Sequence, residues 1–253
     1  MCPPFLFMKY RSLLLLLVPL ATLAGYLLTG SFLLRSGTTL LCLFLIIIRT
    51  REAVVRSATG FVATALLLSF MGDFVLGHWG GSFEGFVCGV ALFLLAHLGY
   101  VAYCLCLGRL RRGWLAGLVA VFGAGYYGLL LRPRINDAVT SGAVLAYILV
   151  SCLSMAAALG LTGNSRESRT SEYSKQSGET AGSDISGDNN FPTLPCLARV
   201  LFAAGIASLL FSDLLIAQKR FLGDDTLYLL MMPTYFTSQL LVTASILTNT
   251  RPQ

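Results

Sequence analysis

A chain of 253 residues with 56% hydrophobic and only 12% charged side chains carries about half the charge of an ordinary soluble domain, in which roughly 25% is usual. A water-soluble enzyme is excluded on that ground. A nucleic-acid-binding module is excluded too, because the net charge of +6 has no folded polar domain on which to form a basic patch.

Apolar runs of about 20 residues can cross a bilayer. They predict an all-α polytopic membrane protein, a bundle of eight transmembrane helices in one domain over residues 1–253. In chain order the runs cover 12–29, 33–48, 58–77, 86–107, 114–131, 138–161, 197–217 and 227–247. The first follows Lys9 and Arg11 and runs into small residues, as a signal peptide does. Similar spans follow it, which favours a retained helix. The second is short, either tilted or partly re-entrant.

With eight spans, the termini and the even-numbered loops share one side of the membrane. That side holds 13 of the 18 Lys and Arg residues, and the other holds Arg35, Arg132, Arg134, Lys219 and Arg220. Positive charge stays on the cytoplasmic side, so both termini are expected there. Between the sixth and seventh spans, residues 162–196 are rich in Ser, Gly, Asp and Glu. This segment is expected to be a disordered cytoplasmic loop, and it contains no N-x-S/T sequon. The seven cysteines are odd in number, lie mostly inside spans and form no CxxC pair, so they read as reduced apolar fillers. With only two histidines, no metal and no cofactor are expected.

Three ionisable groups sit where a membrane-spanning chain can least afford them. Asp73 lies in LLLSFMGDFVL, Asp213 in ASLLFSDLLIA and His97 in GVALFLLAHLGY. A carboxylate at a helix centre costs about 2.5–3.5 kcal/mol on insertion scales, so such groups face a protein interior or a wet cavity, and Asp73, His97 and Asp213 are expected to face one internal cavity. In the fourth span Phe86, Gly89, Phe93, Ala96, His97, Tyr100 and Cys104 recur at three- and four-residue spacing and share one inward face. In the seventh, Gly205, Ser208, Ser212, Leu215 and Lys219 form a small, polar stripe beside Asp213. Arg220 lies two turns beyond Asp213. The plainer alternatives are a histidine hydrogen-bonded for packing and an Asp213–Arg220 pair anchoring a helix end. A weak internal repeat joins the third and seventh spans. Each puts Asp after a small residue, and each is followed by a helix with polar groups: His97 and Tyr100, then Tyr235 and Gln239. Two parallel four-helix halves would explain it.

Four runs, SFMGDFVL, FVCGVALFLLAHLGY, FAAGIASLLFSDLLIAQKRF and MMPTYFTSQLL, resemble in order the motifs of the lysoplasmalogenase family of YhhN-like membrane proteins. The resemblance extends over most of the spans. Ser238 stands where the family usually has Ala, and the Ser-rich loop is longer than in compact bacterial members. The longer loop suggests a eukaryotic protein, with the endoplasmic reticulum or another endomembrane as the expected location.

The resemblance implies hydrolysis of the vinyl ether bond of lysoplasmalogens, with a lysophospholipid substrate and the bilayer as partners. It implies Asp73 and Asp213 as carboxyls sharing a proton, one the acid and the other the electrostatic stabiliser and base. Neighbouring buried carboxyls push their pKa values apart in just this way. His97 would shuttle a proton or place water. Tyr100, Tyr235 and Gln239 would bind the glycerol hydroxyl or the water, and Lys219 and Arg220 the phosphate. Two rivals stay open at this level: a transporter coupling protons or cations to the aspartates, and a non-catalytic lipid-binding protein.

Overall fold

A computed structural model describes residues 16–50, 56–176, 194–224 and 226–249. Among them the chain forms eight α-helices and no strand. They are α1 (Leu17–Thr29), α2 (Phe32–Thr50), α3 (Arg56–Trp79), α4 (Phe83–Leu107), α5 (Arg112–Leu118), α6 (Ala138–Gln176), α7 (Cys196–Ala217) and α8 (Met231–Asn249). The α5 helix continues as a π-helix over Val119–Leu131, and α7 ends in a π turn over Gln218–Leu222. Residues 12–15 of the expected first span, and Cys2, fall outside the described residues.

Among the described residues five helices are long and apolar enough to cross a membrane: Ala58–Trp79, Phe83–Leu107, Arg112–Arg134, Ala138–Thr162 and Cys196–Leu222. Leu17–Thr29 and Ser36–Ile48 are apolar but shorter. At 1.5 Å per residue the 13 residues of α1 reach about 20 Å, against a hydrocarbon core of about 30 Å. The α8 helix is longer, but Thr, Ser and Gln along it lower its hydropathy. Large apolar side chains face outward on most helices, among them Phe44 of α2, Leu67 of α3 and Val121 and Leu129 of the α5 extension. A surface of that kind is suited to lipid.

Local chemistry sets the helix ends. Ser82 caps α4, its hydroxyl accepting the Gly85 N–H at 3.0 Å. Gly30 ends α1 and Gly223 ends the π turn of α7, both with φ of 66°, where a side chain would be strained. Past Leu161, α6 does not stop as expected. The backbone stays helical to Gln176. An established helix extends without a new nucleus, and no Gly or Pro interrupts 164–176. The rest of the polar segment, 177–193, lies outside the described residues.

The α3–α4 and α7–α8 pairs pack most extensively. One core joins α1–α4, α6, α7 and α8 around Tyr100, Tyr103, Phe202 and Phe236. A second holds Tyr127, Leu131, Val144 and Ile148 between the α5 extension and α6. Every member of the inward face read on α4 is buried. The stripe on α7 packs on α8. Ser208 donates to the Thr234 carbonyl at 2.7 Å and Ser212 to the Met231 carbonyl at 3.0 Å.

Candidate active site

Asp73 lies six residues before the end of α3 at Trp79, and Asp213 four before the end of α7 at Ala217. Both therefore sit toward the end of the bundle that carries the α3–α4 and α7–α8 connections. There they line one cavity of about 220 Å³, together with Phe86 and Phe93 of α4, Tyr235 of α8, and Lys219 and Arg220 of the π turn. Tyr235 faces Asp73. Gly72 lets the Phe93 ring close against α3 beside Asp73, because a Cβ there would stand 2.8 Å from Cε2 of that ring.

His97 does not line the cavity, which corrects the expectation that all three ionisable groups open onto it. Lying deeper along α4, it is fully buried and reaches Asp213 from behind, with Nε2 at 3.1 Å from Oδ2. The Asp213 side chain, 8% exposed, is the link between His97 and the cavity. A polar network stands behind it. The Ser154 hydroxyl lies 2.9 Å from the Ser151 carbonyl and 2.8 Å from His97 Nδ1, and its one proton can go to either. With Ser154 donating to Nδ1, Nε2–H donates to the Asp213 carboxylate; with Nδ1–H donating to Ser154, the contact at 3.1 Å takes one further proton. In both arrangements a hydrogen bond ties the imidazole to a carboxyl that lines the cavity. Tyr147 closes the group. Its hydroxyl is 3.4 Å from Nε2, and its ring meets the imidazole edge to face at 5.5 Å.

Tyr100 and Gln239, expected to touch substrate, are fully buried behind the cavity. Tyr100 lies three residues deeper than His97 on α4. It packs edge-on against the imidazole at 6.3 Å and faces Ser69 and Gln239 without reaching hydrogen-bond geometry. Tyr235, Lys219 and Arg220 do line the cavity. The alternative Asp213–Arg220 pair is not formed. His97 takes Asp213, and Arg220 lies over the Phe86 ring at 4.9 Å from its centroid. Among the described residues no three His, Cys, Asp or Glu side chains gather to hold a metal ion, and the six described cysteines are free.

The sixth span carries no charged side chain, yet α6 supplies Tyr147, Ser151 and Ser154 to this group. Their spacing of four and three residues places them on one helix face, the signal that would have found them.

A family model described as the YhhN family matches residues 31–246. No curated protein and no solved structure matches the chain.

Proposed function

The chain belongs to the YhhN family, and from that premise we propose that it is a lysoplasmalogenase-type hydrolase. It cleaves the vinyl ether of a lysoplasmalogen to a fatty aldehyde and glycerophosphoethanolamine or glycerophosphocholine. One observation carries this reading most directly: Asp213, 3.1 Å from His97 Nε2, lines a cavity that a second carboxyl, Asp73, also lines.

In this proposal Asp213 is the acid. Its proton goes to the outer alkene carbon, and the carbon bound to oxygen becomes an oxocarbenium ion. Asp73, as carboxylate, faces that cation and takes a proton from the water that adds to it. The product is a hemiacetal. Its carbon–oxygen bond to glycerol then breaks. Asp73 returns its proton to the glycerol oxygen, and the hemiacetal hydroxyl proton restores Asp213. One water is consumed and no redox partner is needed. His97, oriented by Ser154, steadies Asp213 as it loses and regains its proton. Lys219 and Arg220 meet the phosphate, and Tyr235 binds the glycerol hydroxyl or the water. With Tyr100 and Gln239 sealed behind His97, their part is support of the imidazole.

The test is product analysis on purified protein in detergent. Free fatty aldehyde is expected from a 1-alkenyl lysophospholipid and none from its saturated 1-alkyl counterpart, whose ether lacks the alkene to protonate. Detergent removes the two compartments that transport requires, so turnover there also separates hydrolysis from the transporter reading. Absence of aldehyde with folded protein would refute the proposal.

A further inference from the structure

A second, apolar cavity of about 60 Å³ adjoins the first on its Asp213 side and runs between α4, α6 and α7. Val90, Val144, Ile148 and Leu210 are among its walls. Its tyrosine hydroxyls are engaged elsewhere, while the buried Ser151 hydroxyl in its wall has no hydrogen-bond partner among the described residues. The Tyr126 hydroxyl donates to the Leu214 carbonyl at 3.0 Å, and Tyr147 meets His97. The wall on α4 runs from Phe86 to Phe93 and that on α6 from Val144 to Ser151. Seven residues of helix give a depth of about 10 Å along the bundle.

Leu76, Phe86, Phe93, Ile216 and Asp213 line both cavities, and among these Asp213 alone is ionisable. The two cavities differ in chemistry. One is rimmed by Lys219 and Arg220, and the other is walled by aliphatic and aromatic side chains. We propose that together they bind a single-chain amphiphile with an anionic head, the hydrocarbon chain entering the cleft between α4, α6 and α7. This rests on the hydrolase reading and deepens it. In such a lipid the bond to be cleaved lies where head and chain join. That junction falls at Asp213, which favours Asp213 over Asp73 as the proton donor and makes Val90, at the chain wall, a determinant of chain length.

Two assays on the full-length protein in detergent test it. The first is photolabelling with a lysophospholipid bearing a diazirine in its chain, mapped by mass spectrometry. Label on Val90, Val144, Ile148 or Leu210 is the expected result. Label confined to lipid-facing positions such as Leu129 would overturn the site. The second compares kcat/KM for long- and short-chain alkenyl lysolipids. Val90→Phe, projecting a ring between Phe86 and Phe93, is expected to lower the long-to-short ratio by about tenfold, near 1.4 kcal/mol. Val121→Phe on the lipid face should leave the ratio as it is, and an unchanged ratio in Val90→Phe would count against the cleft. The labelling needs no turnover. If the wild-type protein releases no aldehyde, the hydrolase reading fails while labelling still decides whether the chain sits here.

Discussion

Both ring nitrogens of His97 have polar partners, Ser154 at Nδ1 and Asp213 at Nε2. Ser154→Ala should leave a buried Nδ1 without a partner, at a cost of about 1–3 kcal/mol, and loosen the ring that presents Nε2 to Asp213. A fall in kcat of roughly 10- to 100-fold is expected, with a displaced pH–rate profile and recovery in Ser154→Thr. A merely structural role for Ser154 would lower stability without moving the profile. Asp73→Asn and Asp213→Asn each keep shape and hydrogen-bonding capacity but can neither donate a carboxyl proton nor carry negative charge. Each should cost about 10²–10⁴-fold in rate while the protein remains folded and inserted. The double variant should be little worse than either single one, because groups acting as a unit are not additive. Near-normal turnover in both single variants would return the aspartates to a structural role. That Asp73, Asp213 and His97 turn inward was legible from the expense of ionisable groups in lipid. Their arrangement was not, because a residue's depth along its own helix does not say which neighbour stands between it and a cavity.

At the level of elements, the site depends on how closely α7 approaches α8. Gly205 makes that approach possible. A Cβ on it would stand 2.8 Å from Cγ2 of Val242 and 3.2 Å from the Ser238 carbonyl. Gly205→Ala should therefore destabilise the fold by about 1–3 kcal/mol, read as a lower thermal midpoint in detergent. Loss of activity would follow because α7 and α8 hold Asp213 and Tyr235. The start of α6 offers a separate check. Asp137 accepts the Thr140 N–H at 2.6 Å, and this hydrogen bond holds its carboxyl below the ordinary value of 3.8. A lowered folded-state pKa means stabilisation that is complete above the unfolded value and lost as pH falls through the lowered one. Asp137→Ala should reduce the thermal midpoint at pH 7, and the difference from wild type should fade once the pH drops below 3.8. The motif spacing on α4 carried over to the structure because an α-helix has a fixed period. The same reasoning put Arg220 on the side of Asp213, and both line the cavity, although they form no ion pair. It passed over α6, whose contribution is two serines and a tyrosine rather than charges.

For the whole molecule, the uneven distribution of Lys and Arg predicts that both termini and the 162–196 segment lie on the cytoplasmic side. Single cysteines placed near 170–185 in a background freed of native cysteines should react with an impermeant reagent only after that side is exposed. Labelling from the opposite side of sealed vesicles would reverse the orientation, and with it the side on which the cavity opens. The helical class, the eight helices and the presence of costly buried carboxyls were determined by the sequence alone. Hydrophobic run length, helical period and the price of charge in lipid are properties of local sequence. The pairing of Asp213 with His97, the contact of Ser154 with the imidazole and the sharing of Asp213 between a polar and an apolar cavity were decided by the tertiary structure. These facts join α4, α6 and α7 across separations of 57 and 116 residues. Which faces of separate helices meet depends on packing between them, and no helix carries that information in its own periodicity.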